Sequence, residues 1–419
     1  MRIANSGKAM TVLVERCLGS RRGDAGVLAV HGQTIPITPS GADQPLPPRS
    51  HTRRVTMLQR FKVPKDDEVR VAHDALAETV TSIFEKMGVP ADDAALGAEV
   101  LVATDLRGVE THGVSNMLRS YVEGFTGGTL NPRPDVQVLR DSPAMAVVNA
   151  DKGLAVILGP KAMEMAMEKA RNVGVGVVTM SNAGHSGAIG HHAMLAAKND
   201  MVGMVATSGG LLVVPTFGAE PRFGTNPIAI AAPARNEPFL LFDAATSAIA
   251  GNKLRLADRV GASMMPGWIA GLDGAPIMDE VKLPERGQFF QLPLGGTREQ
   301  GSHKGYGFAL MAETLATMLT GDLPTMVEGS RGGSHHYFAA YNIEAFCNLD
   351  VFKDNMDQML ATLKATKPAP GHDAVIYPGV SEHEEEKERR QNGIPLHPEV
   401  IEWFSDITAE LSLPALRTM

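Results

Sequence analysis

Cysteine is nearly absent from this chain: Cys17 and Cys347 are the only two in 419 residues, and they lie far apart. A pair so placed excludes a disulfide framework and a four-thiolate metal site, and it suits a reducing compartment. An excess of positive charge is also missing. With 39 Lys and Arg against 47 Asp and Glu, the formal net charge is −8. That argues against a nucleic-acid partner, which needs clustered cations. No apolar run approaches the roughly 20 residues of a membrane span, and no convincing signal peptide is seen. The expectation is a cytoplasmic protein with no membrane partner. What remains is ordinary: 44% hydrophobic and 21% charged residues, with length for two or three domains and a sizeable core.

Composition shifts near Met57. Residues 1–56 hold Arg21-Arg22, prolines from Pro36 to Pro48, and three arginines between Arg49 and Arg54. This stretch reads as a disordered leader or translated upstream sequence. Helical periodicity starts with Val69, Ala72, Ala75, Leu76, Val80 and Ile83-Phe84. A second helix is predicted over 91–106, behind Pro90 and with Asp92-Asp93 in its first turn. A third helical stretch reaches Tyr121. From Val136 strands are predicted over 144–149, 173–180, 201–206, 227–233 and 239–242, with helices over 158–172 and 191–198. The pattern leaves their pairing direction open. Further on come helices over 307–319 and 355–365 and a strand over 339–346, while 382–390 reads as a solvated, charged helix.

The run Asn182-Ala183-Gly184-His185-Ser186-Gly187-Ala188-Ile189-Gly190 carries the most chemistry. It joins a valine-rich strand to a helix, and its spaced glycines let backbone approach an anion at a helix N-terminus. His185 within it can carry a proton near neutral pH. The spacing is G-x-x-G-x-x-G, however, not the dinucleotide fingerprint G-x-G-x-x-G. The next strand ends in Thr207-Ser208-Gly209, with no acidic residue to hold a ribose. A Rossmann reading is therefore weak.

Other candidates are scattered. His112 in Thr111-His112-Gly113 is set to be accessible, and Arg119 offers a guanidinium for a substrate carboxylate or for a surface ion pair. His185, His191 and His192 have spacings that do not stack three imidazoles on one helical face, and no H-E-x-x-H is present, so no metal is expected. His335-His336 reads as part of an exposed loop. Gly224-Thr225-Asn226-Pro227 is a turn whose Thr and Asn can bond backbone or ligand. Asp243-Ala244-Ala245-Thr246 places a carboxylate at a strand end, as a helix cap or a ribose acceptor. Lys304 in Lys304-Gly305-Tyr306-Gly307 sits at a turn where a phosphate or carboxylate can reach it.

Taken in order, these motifs make the chain resemble the type 2 malate/L-lactate dehydrogenases, a non-Rossmann family that includes ureidoglycolate dehydrogenase. The resemblance also rests on Asp105-Leu106-Arg107-Gly108, Leu292-Pro293-Leu294-Gly295-Gly296 and Tyr377-Pro378-Gly379. It implies a mixed α/β fold, with a largely antiparallel sheet for the nicotinamide and a helical domain built from both chain ends. Residues 57–135 and 301–419 would share the helical domain, with 136–300 binding the cofactor. It also implies a homodimer, NAD or NADP as cofactor, and a small 2-hydroxy or 2-oxo acid as substrate. His185 would be the acid/base and His112 would orient the substrate, with the reverse division open. Thr111, Asn116 and Arg119 would meet the substrate. Ser208, Gly209, Thr225, Asn226, Asp243, Ala244, Ala245, Lys304 and Gly379 would line the cofactor site.

Two departures bear on the substrate. Thr111 stands where many members have serine. Asn116 stands where many have the arginine that holds a carboxylate, with Arg119 one turn further on. An amide at 116 is compatible with a ureido substrate, and Gly184-His185-Ser186-Gly187 is closer to the ureidoglycolate branch; reduction of a cyclic imino acid is a third option. Asn252-Lys253 replaces a common glycine-lysine pair. Outside this class stand a metal-dependent hydrolase using His185, His191 and His192, and a silent nucleotide-binding homologue.

Overall fold

The computed structural model describes residues 59–419; the leader over 1–56 lies outside the described residues. A helical region joins the two ends of this stretch. Strand β1 (Val69–Val71) leads into α1 (His73–Lys86), α2 (Ala91–Leu106) and α3 (Val114–Thr126). Their apolar faces bury Leu76, Phe84, Leu101 and Leu118 together with Ile394, Val400 and Phe404 from the far end of the chain. The strand predicted as helix at Val69 is set by that distant partner: it pairs antiparallel with Ile394–Leu396, Val69 opposite Leu396. Period-2 and period-3.6 patterns cannot be told apart over three residues.

The middle of the chain forms a seven-stranded sheet. In chain order it comprises β2 (Gln137–Asp141), β3 (Met145–Asn149), α4 (Ala155–Val173), β4 (Val175–Ala183), α5 (Ile189–Lys198) and β5 (Met201–Ser208). Then come β6 (Ile228–Ala232), β7 (Leu240–Ala244), α6 (Gly251–Val260), the short pair β8 (Ile269–Ala270) and β9 (Phe290–Gln291), and α7 (Ser302–Ala316). The chain closes with β10 (Ser334–Asn342), α8 (Leu349–Ala365), α9 (Val380–Asn392), β11 (Ile394–Leu396) and α10 (Pro398–Glu410). The sheet order is β2-β3-β4-β10-β5-β6-β7. Every neighbouring pair is antiparallel except β3 with β4, so the mixed, largely antiparallel architecture expected from the resemblance is present. Helices α4 and α5 cover one face through Met163, Met167, Ala193 and Ala197. Helix α7 covers the other, with Ala312 and Ala316 against Ala206, Tyr337 and Ala339.

Three sequence expectations change here. His335 and His336 are not in an exposed loop; they begin β10, between β4 and β5, and are 2% and 0% exposed. The glycine-rich residues before them hid the start of that strand, which also ends earlier than predicted, at Asn342. Helix α7 starts at Ser302, so Lys304 belongs to its first turn rather than to a loop. Finally, α9 is not solvated all round: Arg389 is 2% exposed and turned inward onto α2. A charge run shows solvation only where no buried counter-charge waits for it.

Candidate functional site

Two histidines from distant loops meet at the junction of the helical region and the sheet. His112 sits between α2 and α3, and His185 follows β4. Their rings stack with centroids 5.5 Å apart and planes 11° from parallel. The His112 loop is fixed from below by Asp105, whose Oδ2 accepts the Val114 N–H at the start of α3 at 2.7 Å. Gly113 is required by that arrangement, because a Cβ there would lie 2.0 Å from Asp105 Oδ1. Thr111 Oγ1 and His112 Nδ1 share a 2.7 Å hydrogen bond.

His185 is oriented just as tightly. The Gly187 N–H donates to its Nδ1 at 3.1 Å, and the Tyr121 hydroxyl lies 2.7 Å from the same nitrogen. An N–H can only donate, so Nδ1 accepts and the ring proton is on Nε2. The loop carrying His185 is gripped by two further imidazoles. His336 Nε2 bonds the Gly184 carbonyl at 3.0 Å, and His192 Nε2 bonds the Ser186 carbonyl at 2.9 Å. Burial, with the charges of His185 and Lys253, depresses His112 to about 3. Burial and the Arg255 charge lower His185 to about 4. Both rings are neutral at physiological pH, ready to exchange a proton without a charged resting state.

His112 lines a cavity of about 570 Å³, within the size range of small-molecule and cofactor sites. Its wall includes Thr111, Gly187, Ala188, Gly190, Ala244 and Ala245, small residues that leave a slot fit for a planar ring. Asp243 opens onto the cavity and accepts the Gly190 N–H at 2.7 Å. Burial pushes its carboxyl up to about 6, against the pull of that hydrogen bond. Gly190 is required too, since a Cβ would stand 2.9 Å from Asp243 Oδ2.

Of the residues singled out from the sequence, Thr111, His112, Thr225, Asp243, Ala244 and Ala245 line this cavity, and His185 stacks directly behind His112. Gly379 caps α9 next to Pro378, which lines it. The others lie apart. Ser208 is buried against Thr317, their hydroxyls 2.6 Å apart, and Gly209 packs on the Gly333 carbonyl. Asn226 donates to Glu313 at 3.0 Å inside the protein, and Lys304 is exposed on α7. Arg119 points outward to Glu123, into a separate polar cleft shared with Arg255, Arg259 and Glu399. The Asn116 Nδ2 is already used, donating to the carbonyls of Thr111 at 3.0 Å and Asn252 at 3.3 Å, while its Oδ1 is buried with no hydrogen-bond partner. It ties the His112 loop to α6 and does not line the cavity.

The sequence expectations include no site role for Tyr121, His336, Lys253 or the buried Arg389. Tyr121 carried a usable signal. It follows Met117 at helical spacing on the apolar face of α3, and a buried phenol needs a polar partner. Lys253 follows an apolar run, which is unusual for a surface lysine. No local signal marks the other two. Among the described residues no three His, Cys, Asp or Glu side chains are grouped to hold a metal ion, and no helix is long and apolar enough to cross a membrane.

Residues 71–405 match the protein family described as malate/L-lactate dehydrogenase. Malate dehydrogenase from Pyrococcus horikoshii is 36% identical, over 84% of this chain and 98% of its own. L-sulfolactate dehydrogenase from Methanocaldococcus jannaschii is also 36% identical, over 80% and 95%. Ureidoglycolate dehydrogenase (NAD(+)) from Escherichia coli O157:H7 is more distant, 29% identical over 80% and 95%. The solved structure of the Pyrococcus horikoshii enzyme superposes with a TM-score of 0.76, covering 85% of this chain and 99% of that one. The chain belongs to the malate/L-lactate dehydrogenase family and is an oxidoreductase of the dehydrogenase class.

Proposed function

We propose that this dehydrogenase interconverts a small 2-hydroxy acid and the corresponding 2-oxo acid, of the malate, sulfolactate or lactate kind, with NAD or NADP as cofactor. The observation that carries this reading is the stacked His112–His185 pair at a cavity walled by small residues. A nicotinamide bound in the cavity would supply or take the hydride at C2 of the substrate. The chain's part is the proton on the substrate oxygen. His185 presents its Nε2–H while Tyr121 and the Gly187 N–H hold the opposite nitrogen, so donation from Nε2 is geometrically prepared. His112, on the cavity wall, orients the substrate oxygen. Thr225, Asp243, Ala244 and Ala245, which line the cavity, would hold the cofactor.

One observation favours the reverse division of labour: His112, not His185, faces the cavity. The two are separated by measuring absorbance at 340 nm with NADH and with NADPH against pyruvate, oxaloacetate, 2-oxoglutarate and oxalurate. His185→Ala is expected to abolish turnover and leave cofactor fluorescence titrations unchanged. His112→Ala is expected chiefly to raise KM. An unchanged kcat in His185→Ala would transfer the acid/base role to His112. The exposed apolar residues Phe308, Met311, Met318 and Leu319 on and after α7 fit a homodimer, and a single-chain mass by light scattering would refute it.

A further inference from the structure

Three cationic side chains line the cavity: Lys62, Arg107 and Lys253. Two of them are neutralised. Lys62 pairs with Glu385, and Arg107 Nη1 lies 3.1 Å from Glu386 Oε2. Lys253 has no carboxylate partner among the described residues. Its ammonium lies 5.7 Å from the centre of the Phe61 ring, in a wall completed by Ile249, Leu256 and Trp268. Burial lowers its pKa, as expected for an ammonium with little solvent and no anion beside it. The Asn116 Nδ2 bridges the carbonyls of Thr111 and Asn252, the chain neighbours of His112 and Lys253, so the two stand at the same end of the cavity. Ala248, Ile249 and Ala250, which lead into the ten-residue helix α6, line that end as well. The positive end of the α6 dipole therefore points to the same place.

A half-buried cation with no carboxylate partner among the described residues, beside an imidazole and a helix N-terminus, is a site waiting for an anion. Neither Asn116 nor Arg119 lines this cavity: the Asn116 Nδ2 donates to two backbone carbonyls, and Arg119 faces the other cleft. We propose that Lys253, with the first turn of α6, binds the substrate carboxylate, and that this contact selects 2-oxo and 2-hydroxy acids over their uncharged amides. The inference rests on the dehydrogenase reading above. A carboxylate held by Lys253 leaves the adjacent C2 oxygen within the reach of the histidine pair. It also gives the chain a carboxylate anchor on α6 in place of an arginine on α3.

The test compares wild type with Lys253→Met, which keeps the packing on Phe61, and with Lys253→Arg, which keeps the charge. Turnover of the preferred 2-oxo acid is measured against that of its primary amide, and oxamate binding is measured by calorimetry. Lys253→Met is expected to raise KM for the acid roughly 10- to 100-fold, the range for losing one charge-assisted hydrogen bond. The amide should be nearly unaffected and NADH affinity unchanged. Lys253→Arg should recover most of the acid preference, and oxamate should bind wild type and be lost in Lys253→Met. Equal losses for acid and amide, or equal oxamate affinity in wild type and Lys253→Met, would overturn the proposal. A wild-type enzyme inert toward every acid but still binding oxamate through Lys253 would instead overturn the dehydrogenase reading and leave the carboxylate site standing.

Discussion

Arg389 offers the sharpest test of how the site is supported. It enters from α9 and is 2% exposed, donating from Nη1 to the Asp105 carbonyl at 2.8 Å and from Nη2 to Glu110 at 2.5 Å. Its Nε also reaches Glu385 at 3.3 Å. Glu110 is itself 7% exposed, so Arg389→Met leaves a buried carboxylate without its cation and a buried carbonyl without its donor. Glu385 keeps Lys62 and contributes little to the loss. Breaking one side of a buried pair costs about 3–5 kcal/mol, whereas replacing both sides with neutral groups is often close to neutral. Urea unfolding should therefore place Arg389→Met about 3–5 kcal/mol below wild type, and Arg389→Met with Glu110→Gln well above the single variant. Because Asp105 and Glu110 flank the His112 loop, kcat should fall with stability in the single variant and recover in the double. A single-variant cost below about 1 kcal/mol, the level of an exposed pair, would refute the reasoning. So would simple additivity of the two substitutions.

Two more outcomes follow from the same scaffold. Asp105 is fully buried, and burial with the Glu110 charge raises its carboxyl to about 7 from the ordinary 3.8. A raised carboxyl pKa means that the folded state binds the proton more tightly, so this stability contribution is complete below about pH 4 and is lost as pH rises to about 7. Asp105→Asn keeps an acceptor for the Val114 N–H and should gain on wild type by roughly 2–4 kcal/mol between pH 4 and 8 in paired unfolding curves; parallel curves would show that the carboxyl ionises normally. His336→Phe removes the donor to the Gly184 carbonyl and should lower kcat about tenfold or more, with cofactor affinity held, since a hydrogen bond of about 1–3 kcal/mol keeps the His185 loop in register. A kcat within twofold of wild type would deny His336 that positioning role.

Much of the fold was legible because its signals are local. The helices at 73–86 and 91–106 show apolar spacing, the second also a first-turn acid pair and a preceding proline, and the strands from 144 to 244 show short β-branched and alanine-rich runs between glycines. What was not legible depended on partners far along the chain. Val69–Val71 is a strand only because Ile394–Leu396 lies beside it. His335 and His336 are buried only because β10 is inserted between β4 and β5, the one place in the sheet where a late strand separates two early ones. The charge run of α9 looked solvated because Glu110, its buried partner, is 279 residues away.

The site divides along the same line. Thr111-His112-Gly113 and Gly184-His185-Ser186-Gly187 are short motifs whose residue types already state their chemistry, and the fold stacks their two rings. Asn116 shows where motif reading stops. As a residue type it is a polar group that can meet a substrate, and its position four after His112 suggested that it did. In the structure both bonds of its Nδ2 go to backbone carbonyls, one on each side of the junction between the His112 loop and α6. An amide nitrogen has two such protons, and both are spent on tying the two segments together, while Oδ1 is buried with no hydrogen-bond partner. These two bonds hold α6 against the His112 loop, and with it Lys253. The carboxylate-holding cation that the resemblance implies at position 116 on α3 is thus proposed on the neighbouring helix, 137 positions further on, where only the packing of α3 on α6 reveals it.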